Sequence, residues 1–224
     1  MNFLELIAAA LDDEGIESRF SGDALFVPIS PDVDLRFEDI ESDIPAANVY
    51  VAVADAIHDE DATDDEAMLV TAIFTVDDAV ETVNFHVATD QAVTIIRDLI
   101  DGSDARIADL DFVQDDEDST LLVADVGESS SLEVVTTVES SVPSIRVAFV
   151  TYIDSEVQED IDPSVDGDDA EVEVMDLGVF ADYDTVFNVL SVAVDQADSW
   201  EAELIASATD PWGSEVRDPW GDTV

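Results

Sequence analysis

The residues best placed by type to do chemistry are His58, Asp59, Glu60 and Asp61, with Asp64, Asp65 and Glu66 close behind. An imidazole among carboxylates is a ligand set for a hard divalent cation. His58, Asp59 and Asp61 are the metal candidates, and a divalent-metal-dependent hydrolase would use them. The same stretch also reads as a solvated acidic loop, because it lacks the glycine-placed spacing of a calcium loop. The run Asp160 to Asp169 resembles such a loop on the surface, but its spacing is wrong and no Glu stands in the closing position. His86, between Phe85 and Val87, reads as a half-buried side chain on a strand. No Ser/His/Asp arrangement and no nucleophile elbow can be assembled. The eight glycines are not spaced as a phosphate-cradling loop requires. Carboxylates are so frequent that their pairing says nothing about acid–base work. The sequence therefore assigns no catalytic residue and no cofactor.

The most pointed local signal is at the C-terminal end. Asp210-Pro211-Trp212-Gly213 recurs as Asp218-Pro219-Trp220-Gly221. Tryptophan is the residue most enriched in binding hot spots. Two such anchors on one tail, with Pro211 and Pro219 restricting the backbone, could engage a protein partner bivalently. The alternative is that both rings fold back and cap the domain.

The elements that must position these residues follow from hydrophobic spacing. Asn2 and Glu5 form the sequence pattern of a capping box. Phe3, Leu4, Ile7, Ala8 and Leu11 then make one helical stripe, and Gly15 ends it. Val-, Ile- and Phe-rich runs read as strands over 24–29, 33–37, 48–54, 68–76 and 80–87, with Asp77-Asp78 as a tight hairpin between the last two. Thr89 caps a second helix carrying Ala92, Val93, Ile96, Leu99 and Ile100, which Gly102 ends. Strands recur over 105–113, 120–126, 132–138, 145–153 and 171–177. A long helix starting near Asp182 or Asp184 carries Val186, Phe187, Leu190, Ala193, Val194, Ala197, Trp200 and Leu204 on one face.

The recurrence extends to local sequence. Glu41-Ser42-Asp43-Ile44-Pro45 and Glu139-Ser140-Ser141-Val142-Pro143 each precede a Val-rich strand and then an acidic loop. The expected architecture is α+β: two repeated antiparallel sheet units with packed N-terminal, middle and long C-terminal helices. The first unit spans 1–101 and the second 102–206, sharing the helix 89–101, with the tail at 207–224.

The segment Phe3-Leu4-Glu5-Leu6-Ile7 through Gly15-Ile16, then Ala24-Leu25-Phe26-Val27-Pro28-Ile29 and Val33-Asp34-Leu35-Arg36-Phe37, resembles the YbjN family and the related type III secretion chaperone-like fold. The resemblance covers the first half, and more loosely the second. It implies a non-enzymatic α+β protein that binds other polypeptides, often as a homodimer. It carries no family binding residue onto this chain.

Charge sets the environment. The chain has 57 acidic residues against six arginines and no lysine, a formal net charge of -51 over 224 residues. Such self-repulsion weakens a compact state unless it is screened. At molar ionic strength the Debye length is about 3 Å, and neighbouring surface carboxylates hardly interact. Acidic disorder is the other class with this charge. However, 47% hydrophobic residues and a mean hydropathy of +0.12 provide enough apolar surface for a core. The composition points to a folded protein of a salt-filled cytoplasm, from an extreme halophile or a virus of one. The first residues lack the basic and apolar regions of a signal peptide. No apolar stretch approaches the ~20 residues of a membrane span. The arginines (Arg19, Arg36, Arg97, Arg106, Arg146, Arg217) are scattered, which argues against nucleic acid, since phosphate contacts need clustered cations. The leading expectation is a cytosolic protein-interaction or chaperone-like protein. A structural or assembly protein of a haloarchaeal virus comes next, and the metal-dependent hydrolase third.

Overall fold

A computed structural model describes residues 2–40, 44–53, 67–153 and 171–209. Helix α1 (Phe3–Asp13) starts as its sequence dictates. The Asn2 side chain accepts from the Glu5 N–H at 2.7 Å, and the Glu5 carboxylate accepts from the Asn2 N–H at 2.7 Å. Leu4, Ile7 and Leu11 form its buried stripe.

Five antiparallel strands follow: β1 (Arg19–Ser21), β2 (Ala24–Pro28), β3 (Val33–Asp39), β4 (Ala47–Val53) and β5 (Ala67–Ile73), paired in that order as a meander. Leu25, Val27, Leu35, Phe37, Ala47 and Val49 alternate onto one face and meet the α1 stripe in a common core. On the opposite face Arg19 pairs with the buried Asp34 at 2.9 Å, and Arg36 lies over the Tyr50 ring.

Helix α2 (Val76–Ile100) comes next. It corrects several sequence expectations, and the strand expected over 68–76 ends at Ile73. Residues 80–87 are helical rather than a strand, and Asp77-Asp78 is the first helical turn rather than a hairpin. The β-branched residues there invite a strand reading, but Ala79 and Val83 recur at helical spacing and are fully buried in the first core. Thr75 caps the helix by accepting from the Asp78 N–H at 3.1 Å, and the two aspartates favour the positive end of its dipole. Thr89 is therefore interior, donating its hydroxyl to the Phe85 carbonyl at 2.8 Å. His86 sits on this helix, half-buried.

The second set repeats the order of elements: β6 (Val113–Gln114), β7 (Leu121–Val126), β8 (Ser130–Glu139), β9 (Val142–Ile153), β10 (Glu171–Phe180), then α3 (Tyr183–Thr209). Its strands form a second five-stranded meander. Residues 105–112 are not a strand as expected. They form a turn-rich connection that buries Ile107, Leu110 and Phe112, and strand pairing begins at Val113. The core holds Ile95 and Leu99 of α2, alternate residues of β7, β8 and β9, and Val186, Phe187, Leu190, Ala193 and Ala197 of α3. Trp200 meets Phe149 edge-on, with ring centroids 5.6 Å apart.

The fold is thus α+β with two antiparallel five-stranded sheets and three helices. Its compact units are Met1–Thr94 with Val138–Pro143, and Ile95–Thr137 with the chain from Ser144 on. Among the described residues no helix is long and apolar enough to cross a membrane.

Candidate functional site

The tail residues Asp210, Pro211, Trp212, Asp218, Pro219 and Trp220, and the metal candidates His58, Asp59 and Asp61, lie outside the described residues. So does the acidic run 160–169. Among the described residues no three His, Cys, Asp or Glu side chains gather into a cation site. The described surface offers a different candidate, which sequence reasoning did not single out.

It is the β5 edge. β5 pairs with β4 on one side, and among the described residues no strand pairs with its other side. Its sequence, Ala67-Met68-Leu69-Val70-Thr71-Ala72-Ile73, contains no charge, although about a quarter of the chain is acidic. Met68 is 66% exposed and Leu69 55%, and Phe74 just beyond the strand is 62% exposed. Edge strands in natural proteins are ordinarily blunted by charges, proline or bulges. Among the described residues the device present is a register shift opposite Val49 and Tyr50, which twists the edge at Val70. The stretch Ala67–Leu69 still continues the ladder, against Ala52, Val51 and Tyr50.

Helix α2 borders this edge. Val70, Thr71 and Ile73 of the strand and Thr82, Phe85 and His86 of the helix line one groove, with Asp78 and Glu81 also on its wall. The Phe85 ring stands edge-on to the His86 imidazole, with centroids 5.7 Å apart. Burial lowers the His86 pKa. The groove is mixed in character, with Asp78, Glu81, Thr82, Ser140 and Ser141 beside Val70, Ile73 and Phe85.

The polar clusters elsewhere hold the fold in place. Glu201 of α3 accepts from the Glu128 N–H at 3.1 Å, the Ser129 N–H at 3.0 Å and the Ser130 hydroxyl at 2.7 Å, closing the β7–β8 turn. Burial pushes its pKa up, but these hydrogen bonds outweigh burial and the net direction is down. Gly127 in that turn has φ +66, and a Cβ there would stand 2.5 Å from a Glu201 carboxylate oxygen. Arg106 donates to Asp104 at 2.7 Å, Asp184 at 3.0 Å and Asn188 at 2.9 Å, and it lies over the Phe187 ring. Its side-chain and backbone hydrogen bonds hold the Asp104 carboxyl down at about 2.

Comparison with family models finds no match for this chain, and comparisons with curated proteins and with solved structures find none either.

Proposed function

We propose that the protein is a non-catalytic protein-binding module of a high-salt cytosol, and that a partner's extended segment adds to β5. One observation carries this reading: an uncharged, largely exposed edge strand, unpaired on one side among the described residues, in a chain where 57 of 224 residues are acidic. A strand added there gains main-chain hydrogen bonds along the ladder, and its side chains meet alternate pockets. Met68, Leu69 and Phe74 supply exposed apolar area, and molar salt screens the acidic surroundings. The polypeptide-binding expectation from the YbjN-type pattern of residues 3–37 agrees with this reading.

The test is retention of protein from a host extract in molar KCl by wild type, by Leu69→Asp and by Trp212→Ala with Trp220→Ala. Leu69 is exposed, so the substitution leaves the fold intact. A specific protein lost with Leu69→Asp and kept by the tail variant supports strand addition at β5. The same proteins retained by wild type and Leu69→Asp overturn it. The salt requirement is tested separately, by circular dichroism during dilution from molar KCl, where a fold that persists without salt contradicts the halophilic reading.

A further inference from the structure

The pairing of β5 with β4 fixes which way each β5 residue faces. Met68, Thr71 and Ile73 lie opposite Val51, Val49 and Ala47, on the face that carries the core. Ala67, Leu69 and Ala72 lie opposite Ala52, Tyr50 and Asn48, on the other face. Helix α2 packs on the core side through Ala79 and Val83. Its Asp78, Glu81, Thr82 and Phe85 line the groove together with Thr71 and Ile73. A strand added to β5 alternates its side chains between the two faces. One alternate set meets Leu69, and the other meets the α2 wall.

Charge distinguishes the two sets. β5 carries none, so the formal charges of the groove are those of Asp78 and Glu81. Both residues are exposed, and among the described residues no arginine pairs with either. Arg19, Arg36, Arg106 and Arg146 are held by other carboxylates. A second hollow shares Glu81 with this groove and adds Asp13, Glu14 and Asp77, all within one compact unit. At molar ionic strength charges beyond about 3 Å are screened, so the wall discriminates only between groups that touch it. A carboxylate there would meet like charge, whereas a guanidinium or ammonium forms a contact ion pair.

Resting on the reading of β5 as a docking edge, we propose that its partner is a basic, amphipathic strand: apolar residues on the side of Leu69, and at least one arginine or lysine on the side of α2, in contact with Asp78 and Glu81. The main chain of that strand supplies the ladder hydrogen bonds whatever its sequence. Its apolar set covers Leu69, and its cation supplies the discrimination. A segment as acidic as this chain itself fits the ladder and fails at the wall, which keeps the exposed edge from pairing with the bulk of a similarly acidic proteome.

The experiment is fluorescence anisotropy of the full chain in molar KCl with short, labelled, end-capped peptides. Each has valine at alternate positions and arginine, threonine or glutamate at the others. The expected result is that the arginine peptide binds several-fold more tightly than the threonine peptide, and the glutamate peptide most weakly. The arginine advantage is expected to disappear in Asp78→Asn with Glu81→Gln, at exposed positions that tolerate the change. Removing two of 57 carboxylates leaves the general field of the protein nearly unchanged, so that loss locates the contact. The proposal is overturned if the arginine and threonine peptides bind equally, or if the arginine advantage survives the double substitution. Threonine-peptide binding that is lost in Leu69→Asp, without an arginine advantage, keeps strand addition at β5 and removes only the basic partner. Peptide binding that is indifferent to Leu69→Asp, or absent altogether, removes both.

Discussion

The two sheets share a strand order and differ in how polar groups are used around them. In the second, carboxylates do structural work: Glu201 closes a turn, Asp104 and Asp184 hold Arg106, Asp176 pairs with Arg146, and Asp182 accepts from Thr185 at the start of α3. The pKa values of Asp104, Asp118, Asp176, Asp182 and Glu201 are all lowered, mainly by hydrogen bonds to the ionised form. In the first unit the resolved shifts come from burial, upward at Asp39 and downward at His86. Carboxylates anchor the first half too, at Glu5 and at the buried Asp34 that holds Arg19, but that half also leaves an uncharged seven-residue strand at its edge. Acidity alone does not mark function here. A local absence of charge on an exposed ladder is the more informative signal.

The comparison is broken most directly through the cores. Phe37→Ala and Phe149→Ala, both fully buried, should each cost about 3–5 kcal/mol. Thermal unfolding followed by hydrogen exchange should show the first weakening residues of β2–β4 and the second weakening β7–β9. Equal loss across both sheets from either variant would show that they do not stand apart.

Glu201→Ala comes next, at about 2 kcal/mol, because it strips a partner from two backbone N–H groups and the buried Ser130 hydroxyl. Exchange at Glu128 and Ser129 should accelerate while β2–β4 stay unchanged. No effect at the turn would remove the clamp from the account.

The pH response sharpens the contrast, because it has two windows. Asp104 has a folded pKa of about 2 against an ordinary 3.8, so its contribution is complete above the ordinary value and is lost as pH falls from there toward 2. The other lowered carboxylates of the second half act in the same direction. His86 works earlier: its pKa is below the ordinary 6.5, so the unfolded chain takes up the proton first and the fold loses stability as pH drops below 6.5. Asp39 opposes the acid loss locally, because a raised carboxyl pKa makes protonation favour the fold. Residue-resolved exchange between pH 7 and pH 5 should therefore respond at α2 around His86, and below pH 4 at the second sheet. A single uniform acid transition would contradict this.

The smallest stability change is expected for Leu69→Asp, within about 0.5 kcal/mol, because the side chain is exposed. Its predicted effect is on binding.

Much of this fold was legible in the sequence because local signals agreed. Asn2 and Glu5 marked α1, the stripe from Val186 to Leu204 marked α3, and alternating Val-rich runs marked most strands. The failures have physical causes. Val80 and Val83 are β-branched residues in a helix, so composition and spacing gave opposite answers. β1 has three exposed residues and offers no pattern of burial. Ile107, Leu110 and Phe112 are core residues in a connection that follows no period. The β5 segment was recognised as a strand, but whether it lies at the centre or the edge of its sheet depends on strand order, which spacing does not encode. The residues the sequence favoured, Trp212, Trp220, His58, Asp59 and Asp61, lie outside the described structure, so the two selections do not overlap.

The central claim is that β5 is a docking edge, and amide hydrogen exchange of β5 measures it most directly. Exchange of residues 67–73 would be followed in molar KCl, in the free protein and with the partner recovered by the β5-dependent retention. The account predicts fast exchange at alternate β5 amides in the free protein and strong protection when the partner is bound, with the second sheet unchanged. Unaltered exchange along β5 in the bound protein would contradict it.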